Sequence, residues 1–175
     1  MDILLQGIDG INWSQALCNE WDRLAEGWLY TVKCTNIIKF IHPSEVPNDY
    51  KVIYSSFICD HKPLKPEPQR VQLTVWGDKL DYPFDTSSPA SSLIDAKIML
   101  NSTISDARKW ARFMATCFKD FFLNTPTEQA KYMDIQYKYF PEEIRRVYNL
   151  DNIVIKDGWV YICIIKGMHG LKQAA

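Results

Sequence analysis

The spacing of apolar residues predicts a helix near the amino terminus. Trp13, Leu17, Trp21 and Leu24 fall at positions i, i+4, i+8 and i+11, which places them on one face of a helix. We therefore expect a helix from about residue 13 to residue 26.

From residue 29 to residue 75 the pattern changes to short runs rich in β-forming residues, LYTVKCTNIIKFI, KVIYSSFIC and RVQLTVW. The turn-forming segments HPSEVPND and KPLKPEPQ separate these runs, so this part of the chain is predicted to be a meander of strands or hairpins. Residues 62–68 contain three prolines. Because proline lacks a backbone N–H, this segment is predicted to be an extended connector with few hydrogen bonds.

In the second half of the chain, helical and strand patterns alternate. Ser91 or Ser92 is a candidate N-cap for a helix that ends near Ser105, and its wide apolar face predicts that it is largely buried. The apolar positions of this helix are Leu93, Ile94, Ala96, Ile98, Leu100 and Ile104. ARFMATCF, KYMDIQYKYF and WVYICIIK predict strands, and PEEIRRVYNL predicts a short helix beginning at Pro141. The expected fold class is α+β, with short β-hairpins and packed helices.

Composition and charge exclude several classes of protein. The chain has 175 residues, of which 47% are hydrophobic and 23% charged, values typical of a globular protein with a core. The formal net charge of −1 gives no whole-chain attraction to nucleic acid or to anionic lipid. No apolar run approaches the roughly 20 residues of a membrane span, and the amino terminus lacks the basic region of a signal peptide. We expect an intracellular protein, cytoplasmic or nuclear.

The cysteines agree with a reducing compartment and reveal no metal site. There are five cysteines, widely scattered, with no C-x-x-C pair and no zinc spacing to any of the three histidines. The chain also lacks a glycine-rich phosphate loop, a G-x-S-x-G elbow and an H-E-x-x-H motif. From the residues alone, the interpretation ends at a globular α+β protein.

Four blocks, in this order, resemble a copia-type retrotransposon reverse transcriptase. They are FIHPSEVPNDYKVIYSSFICDHKPLK, RVQLTVWGDKLDYPFDTSSPASSLIDAK, ARFMATCFKDFFLNTP and GWVYICIIKGMHGLKQAA. The family forms are a fingers block ending R-x-R-L-T-V-G-G, a metal block D-I-K-D-F-F-L-N, and K-G-M-Y-G-L-K-Q-A. The resemblance covers nearly all of residues 29–175, and residues 13–24 are similar to the family's upstream helix.

The resemblance implies a partial right-hand polymerase fold. Residues 1–28 would be an amino-terminal helical segment, residues 29–90 a β-rich fingers region, and residues 91–175 an incomplete palm. G-L-K-Q-A opens a helix in the family, so the chain is expected to be cut within the palm. In that case the strand at residues 159–165 would lack partners for its apolar face, and we expect poor solubility or self-association.

The resemblance also identifies the metal position. The family polymerises DNA with two Mg²⁺ ions about 4 Å apart, held by one aspartate at the end of the first palm strand and two on a later hairpin. In this sequence the first position is Cys117, and a thiol is a poor ligand for a hard cation. Asp120 lies three residues further on, too far to take over this role. The resemblance thus implies no intact metal site and no bound Mg²⁺.

Positions that surround the incoming nucleotide in the family are partly kept. Phe122 stands at the aromatic gate against the 2′-hydroxyl, Phe121 would border the sugar and phosphates, and Asp120 helps to shape the triphosphate pocket. Gln173 matches the glutamine near the incoming nucleotide, and Arg70 matches a basic residue of the fingers. Gln72 stands where the family commonly has a second basic residue.

Each of these residues also has an ordinary structural explanation. Phe121 and Phe122 would serve equally as core residues, and Cys117 as a small buried one. Arg70 would suit a solvated strand face, and Gln173 a helix surface.

Other departures from the family form indicate a drifting copy. Cys34, Trp76 and Trp110 stand where the family carries glycine, and His169 replaces a tyrosine. Where such a glycine has a positive φ or lies in close backbone contact, a bulky replacement costs more than about 1 kcal/mol.

We therefore expect a degenerate reverse transcriptase segment without polymerase activity. In the family, the partners are an RNA or DNA template–primer and a deoxynucleoside triphosphate. One alternative is a non-catalytic nucleic-acid-binding module, whose candidate contacts are Lys62, Lys65, Arg70 and Lys79. The other is an enzyme completed by a second chain bearing the paired aspartates.

Overall fold

The structure is a computed structural model and describes residues 1–80, 92–114 and 122–172. These residues form a mixed α+β fold with two small sheets. The helices are α1 Asp2–Gln6, α2 Gly10–Leu24, α3 Leu93–Ser105 and α4 Glu142–Val147. The strands are β1 Ile38–Ile41, β2 Val52–Ile53, β3 Ser55–His61, β4 Gln69–Val75, β5 Pro126–Gln136 and β6 Trp159–Lys166.

The larger sheet has the strand order β1-β6-β5-β2. Strand β6 is antiparallel to both of its neighbours, and β2 is parallel to β5. This sheet combines strands from both sides of residue 90. Val160, Ile162 and Ile164 of β6 are fully buried, so the expectation that the last strand lacks partners is wrong.

Strands β3 and β4 form the second sheet, an antiparallel hairpin paired from Ser55↔Val75 to His61↔Gln69. The proline-rich connector closes this hairpin. The backbone N–H of Lys62 donates to the carbonyl of Pro68 at 2.7 Å, and that of Lys65 donates to the carbonyl of Lys62 at 3.0 Å. The expectation of an extended connector is therefore wrong, because these bonds turn it back on itself.

Helix α2 supplies the centre of the core, as its periodicity predicts. All four residues of the predicted apolar face are buried, and Trp21 is completely enclosed. The Trp21 ring lies 4.4 Å from that of Phe140, 5.9 Å from that of Phe57 and 6.0 Å from that of Phe40, centroid to centroid. A single aromatic side chain therefore joins α2 to both sheets.

Helix α3 begins where the sequence predicts but does not pack as predicted. The hydroxyl of Ser92 accepts the backbone N–H of Asp95 at 3.1 Å, which is an N-cap. No residue of α3 is buried, and Ile98 and Ile104 remain 60% and 72% exposed. The predicted burial of this helix is therefore wrong. The helix forms, but no element among the described residues covers its apolar side chains.

Three of the other predicted elements differ in detail. Residues 111–114 form no regular structure, and the rest of the predicted strand at residues 111–118 lies outside the described residues. Pro141 is the N-cap of α4 and not its first residue. The strand predicted at 131–140 begins earlier, at Pro126, and ends at Gln136, where a 3₁₀ turn follows.

Candidate nucleic-acid interface

A cleft of about 450 Å³ lies between α2 and the β3–β4 hairpin. One buried hydrogen bond between these two elements fixes its inner wall. The carboxylate of Glu20 on α2 accepts the backbone N–H of Leu73 on β4 at 3.0 Å. Val71 and Leu73 are buried on the same strand, so apolar contact and one charged hydrogen bond together hold the helix against the hairpin.

Cationic side chains from three segments line this cleft. Arg23 comes from the last turn of α2, Lys62 and Lys65 come from the connector, and Arg70 comes from β4. They are separated by up to 47 positions in the sequence. Only the packing of α2 on β4 brings them to one surface, which we call the basic cleft.

Two of the four cations are already paired with acids. The guanidinium of Arg23 lies 2.8 Å from the carboxylate of Glu20, and the ammonium of Lys62 lies 3.2 Å from that of Asp60. Among the described residues no ion pair joins Lys65 or Arg70 to a carboxylate, although Glu67 also lines the cleft. Lys65 and Arg70 are thus the cations with the greatest freedom to bind an anion.

The remaining lining suits a phosphate group on a larger molecule. Asn19 and Gln69 contribute amides, and Ala16, Pro66 and Val71 contribute an apolar surface. Arginine binds phosphate oxygens through two parallel N–H groups, and lysine acts as a mobile point charge. The arrangement can bind a phosphodiester.

On its other side, α2 is anchored by a buried acid. The carboxylate of Asp22 accepts the backbone N–H of Leu29 at 3.0 Å and the hydroxyl of Tyr148 at 3.3 Å. That hydroxyl in turn accepts the backbone N–H of Gly27 at 3.1 Å. Burial raises the pKa of Tyr148 to about 12, so it stays a neutral donor. These bonds fix the position of α2 and, through it, of Arg23.

Of the residues predicted to form the nucleotide site, Arg70 is the one whose side chain the structure describes. It is exposed on β4, opposite Asp60 in the strand register. Phe122 begins a 3₁₀ turn that ends at Asn124, and its side chain lies outside the described part. The other predicted residues also lie outside it: Cys117, Asp120, Phe121 and Gln173.

The second and the fourth of the blocks that carry the resemblance also contact each other. The backbone N–H of Val75 donates to the carbonyl of His169 at 2.9 Å, and that of Gly77 donates to the carbonyl of Gly170 at 3.1 Å. The segment of residues 75–77 in the second block therefore contacts the segment K-G-M-H-G-L-K.

The side chain at the position that the resemblance assigns to a metal ligand does not suit Mg²⁺. The residue at the family's metal position is Cys117, whose thiol is a soft ligand, whereas Mg²⁺ selects carboxylate and water oxygens. Within residues 1–80, 92–114 and 122–172 no group of three or more His, Cys, Asp or Glu side chains could hold a metal ion.

Sequence reasoning identified three of the four cations of the basic cleft and missed Arg23. Lys79 was named with them, and its side chain lies outside the described part. A signal for Arg23 was present, because Asn19 and Arg23 are four residues apart on α2 and so share one helix face. What the sequence did not reveal is that this face borders the β3–β4 hairpin.

Comparisons with known proteins identify no relative. No protein-family profile, no curated protein and no solved structure matches the chain. None of the helices in the described part is long and apolar enough to cross a membrane.

Proposed function

We propose that this chain derives from a copia-type reverse transcriptase, corresponds to its fingers and the front of its palm, and binds nucleic acid without polymerising it. The observation that carries the proposal is the basic cleft. Arg70, which matches a basic fingers residue of the family, lines it together with Arg23, Lys62 and Lys65. The cleft provides a place for phosphates that the net charge of the whole chain does not suggest.

Binding at this cleft is expected to be modest and sensitive to salt. Arg23 and Lys62 are partly neutralised by their acidic partners, and Glu67 opposes an incoming phosphate. Each phosphate neutralised on a single strand contributes about −0.7 to the slope of log K against log salt. Two to four contacts correspond to a slope of roughly −1.4 to −2.8.

Binding is tested by fluorescence anisotropy with a labelled single strand of about 16 nucleotides, as DNA and as RNA, at low salt. The double variant Lys65→Gln/Arg70→Gln is expected to bind at least about tenfold more weakly. The matched control is Lys97→Gln/Arg108→Gln, which removes the same two charges from exposed positions on α3 and the turn after it. Equal losses in the two double variants would contradict binding at the cleft.

The lack of polymerase activity is tested separately. Purified protein, primed template, all four deoxynucleoside triphosphates and either Mg²⁺ or Mn²⁺ are expected to give no extension above background, because Cys117 cannot replace a metal-binding carboxylate. Extension that follows the protein through further purification would overturn this part of the proposal.

A further inference from the structure

A second cavity, of about 340 Å³, lies between the start of β3 and the end of β5. It shares none of its described lining residues with the basic cleft. Tyr54 precedes β3 at its edge, and Asp134 and Gln136 border it from the last residues of β5. The cavity therefore lies where the two sheets meet.

Asp134, which borders this cavity, carries an unsatisfied acceptor. Its Oδ1 atom is buried and receives no hydrogen bond from the described residues. Burial raises the pKa of Asp134, and only the backbone N–H of Asp134 itself acts in the opposite direction. Met1 also borders the cavity, but none of the ion pairs among the described residues includes this carboxylate. A buried carboxylate oxygen without a donor is costly, so a donor from outside would be stabilising.

The walls around Asp134 are aromatic. Phe57 and Tyr139 lie with their ring centroids 5.9 Å apart, and the rings of Tyr54 and Trp159 belong to the same lining. Aromatic faces attract cations through the ring quadrupole. Asp134 is the sole ionised side chain among the described lining residues, and its carboxylate favours a positive ligand at this end of the cavity.

A nearby lysine shows the same chemistry within the protein. The ammonium of Lys138 lies 4.7 Å from the centroid of the Tyr139 ring and 3.7 Å from the carboxylate of Asp2. It does not line the cavity among the described residues. A carboxylate combined with an aromatic face thus already holds one cation here, and the cavity presents the same combination without one.

We propose that this cavity binds an organic cation, an ammonium or guanidinium group on a short alkyl chain, with the carboxylate of Asp134 accepting its N–H groups. The rings of Tyr54, Tyr139 and Trp159 cover the alkyl chain and the face of the cation, and the hydroxyls of Ser55 and Ser56 border the same space. The volume is at the small end for ligand pockets, which suits a ligand of this size. This inference does not depend on the proposed function.

The test is an NMR titration of ¹⁵N-labelled protein with butylguanidinium, with the indole N–H of Trp159 as reporter. Its neutral isostere butylurea has nearly the same shape without the charge. We expect saturable shifts with butylguanidinium and at least about tenfold weaker binding of butylurea, since hydrogen bonds to charged groups are the stronger ones. Equal binding of the two compounds, or no saturable shift with either, would overturn the proposal.

Two variants and one control assign the site. Asp134→Asn keeps the side-chain shape and is expected to weaken butylguanidinium binding at least about tenfold. Tyr54→Ala removes a largely exposed ring and is expected to weaken it less. Glu128→Gln, which removes an exposed charge from the same strand, is expected to leave binding unchanged. Cooperative thermal unfolding of each variant confirms folding, and undiminished binding by folded Asp134→Asn would overturn the proposal.

Discussion

Gly170 lies directly against the carbonyl of Val75: a Cβ atom added to Gly170 would be 1.9 Å from that oxygen. The φ of Gly170 is +91°, a conformation that side chains disfavour. This contact joins the end of β4 to the segment that follows β6. The contact explains why the second glycine of K-G-M-H-G-L-K, Gly170, cannot carry a side chain without a shift of the backbone.

The first prediction separates this close approach from backbone strain. Gly158 has a similar φ of +76°, but a Cβ there would meet nothing within 4 Å. Gly158→Ala is expected to cost about 1–2 kcal/mol of unfolding free energy from the left-handed backbone alone. Gly170→Ala is expected to cost at least about 2 kcal/mol more, because either the end of β4 or the segment after β6 must move to make room for the Cβ atom. Denaturant unfolding measures both, and equal costs would show that the approach to Val75 is not close.

The second prediction concerns two tryptophans at positions where the family that the sequence resembles carries glycine. Trp110 has φ of +67° and is 81% exposed, whereas Trp76 has φ of −89° and is 49% exposed. Trp110→Gly is expected to stabilise by about 0.5–1 kcal/mol, since it relieves left-handed strain at the cost of one exposed cation–π contact with Arg112. The measurement is the free energy of unfolding.

Trp76→Gly is expected to behave in the opposite way. Its indole N–H donates to the hydroxyl of Ser56 at 3.4 Å, and half of its surface is buried. Loss of this burial and the added chain entropy of glycine should destabilise by about 1–2 kcal/mol. Stabilisation by both substitutions would instead support glycine-type geometry at both sites, as the resemblance suggests. At Cys34, the third such site, φ is not positive.

The third prediction tests the exposure of α3 with a matched pair of isoleucines on helices. Ile98 on α3 is 60% exposed, and Ile144 on α4 is fully buried. Ile98→Ala is expected to change the free energy of unfolding by no more than about 0.5 kcal/mol, whereas Ile144→Ala is expected to cost about 2–5 kcal/mol. A cost above about 2 kcal/mol for Ile98→Ala would show that α3 is covered in solution.

The fourth prediction concerns high pH. The pKa of Cys18 is raised from 9.0 to about 12, mainly by burial and secondly by the nearby carboxylate of Glu143. The folded state therefore holds this proton more tightly than the unfolded state, so stability falls as pH rises from about 9 towards 12, by at most about 1.4 kcal/mol per pH unit. The unfolding free energy of Cys18→Ala is expected to fall less steeply over this range. Parallel profiles of unfolding free energy against pH for the wild type and Cys18→Ala would contradict this prediction.

The sequence predicts individual elements well and their contacts poorly. The face of α2 that carries Trp13 and Trp21 could be read from its period, and the Ser92 cap from its position, since both are local features. The run at residues 29–37 has strand composition, but Tyr30 and Asn36 have φ of 56° and 51°. Those left-handed turns break the strand, and the sequence alone did not reveal them.

The site shows the same limit. Lys62, Lys65 and Arg70 could be named together because they lie within nine positions of one hairpin. Arg23 belongs with them only through the packing of Glu20 against Leu73, a contact between residues 53 positions apart. Similarly, no periodicity indicates that β3 and β5 enclose Asp134.

The measurement that tests the central claim most directly is the salt dependence of single-strand binding at the basic cleft. For the wild type, the slope of log K against log salt is expected to be about −1.4 to −2.8. For Lys65→Gln/Arg70→Gln it should be less steep by about 1.4, and for Lys97→Gln/Arg108→Gln it should not change. A wild-type slope near zero, or one that the cleft variant leaves unchanged, would contradict nucleic-acid binding through this cleft.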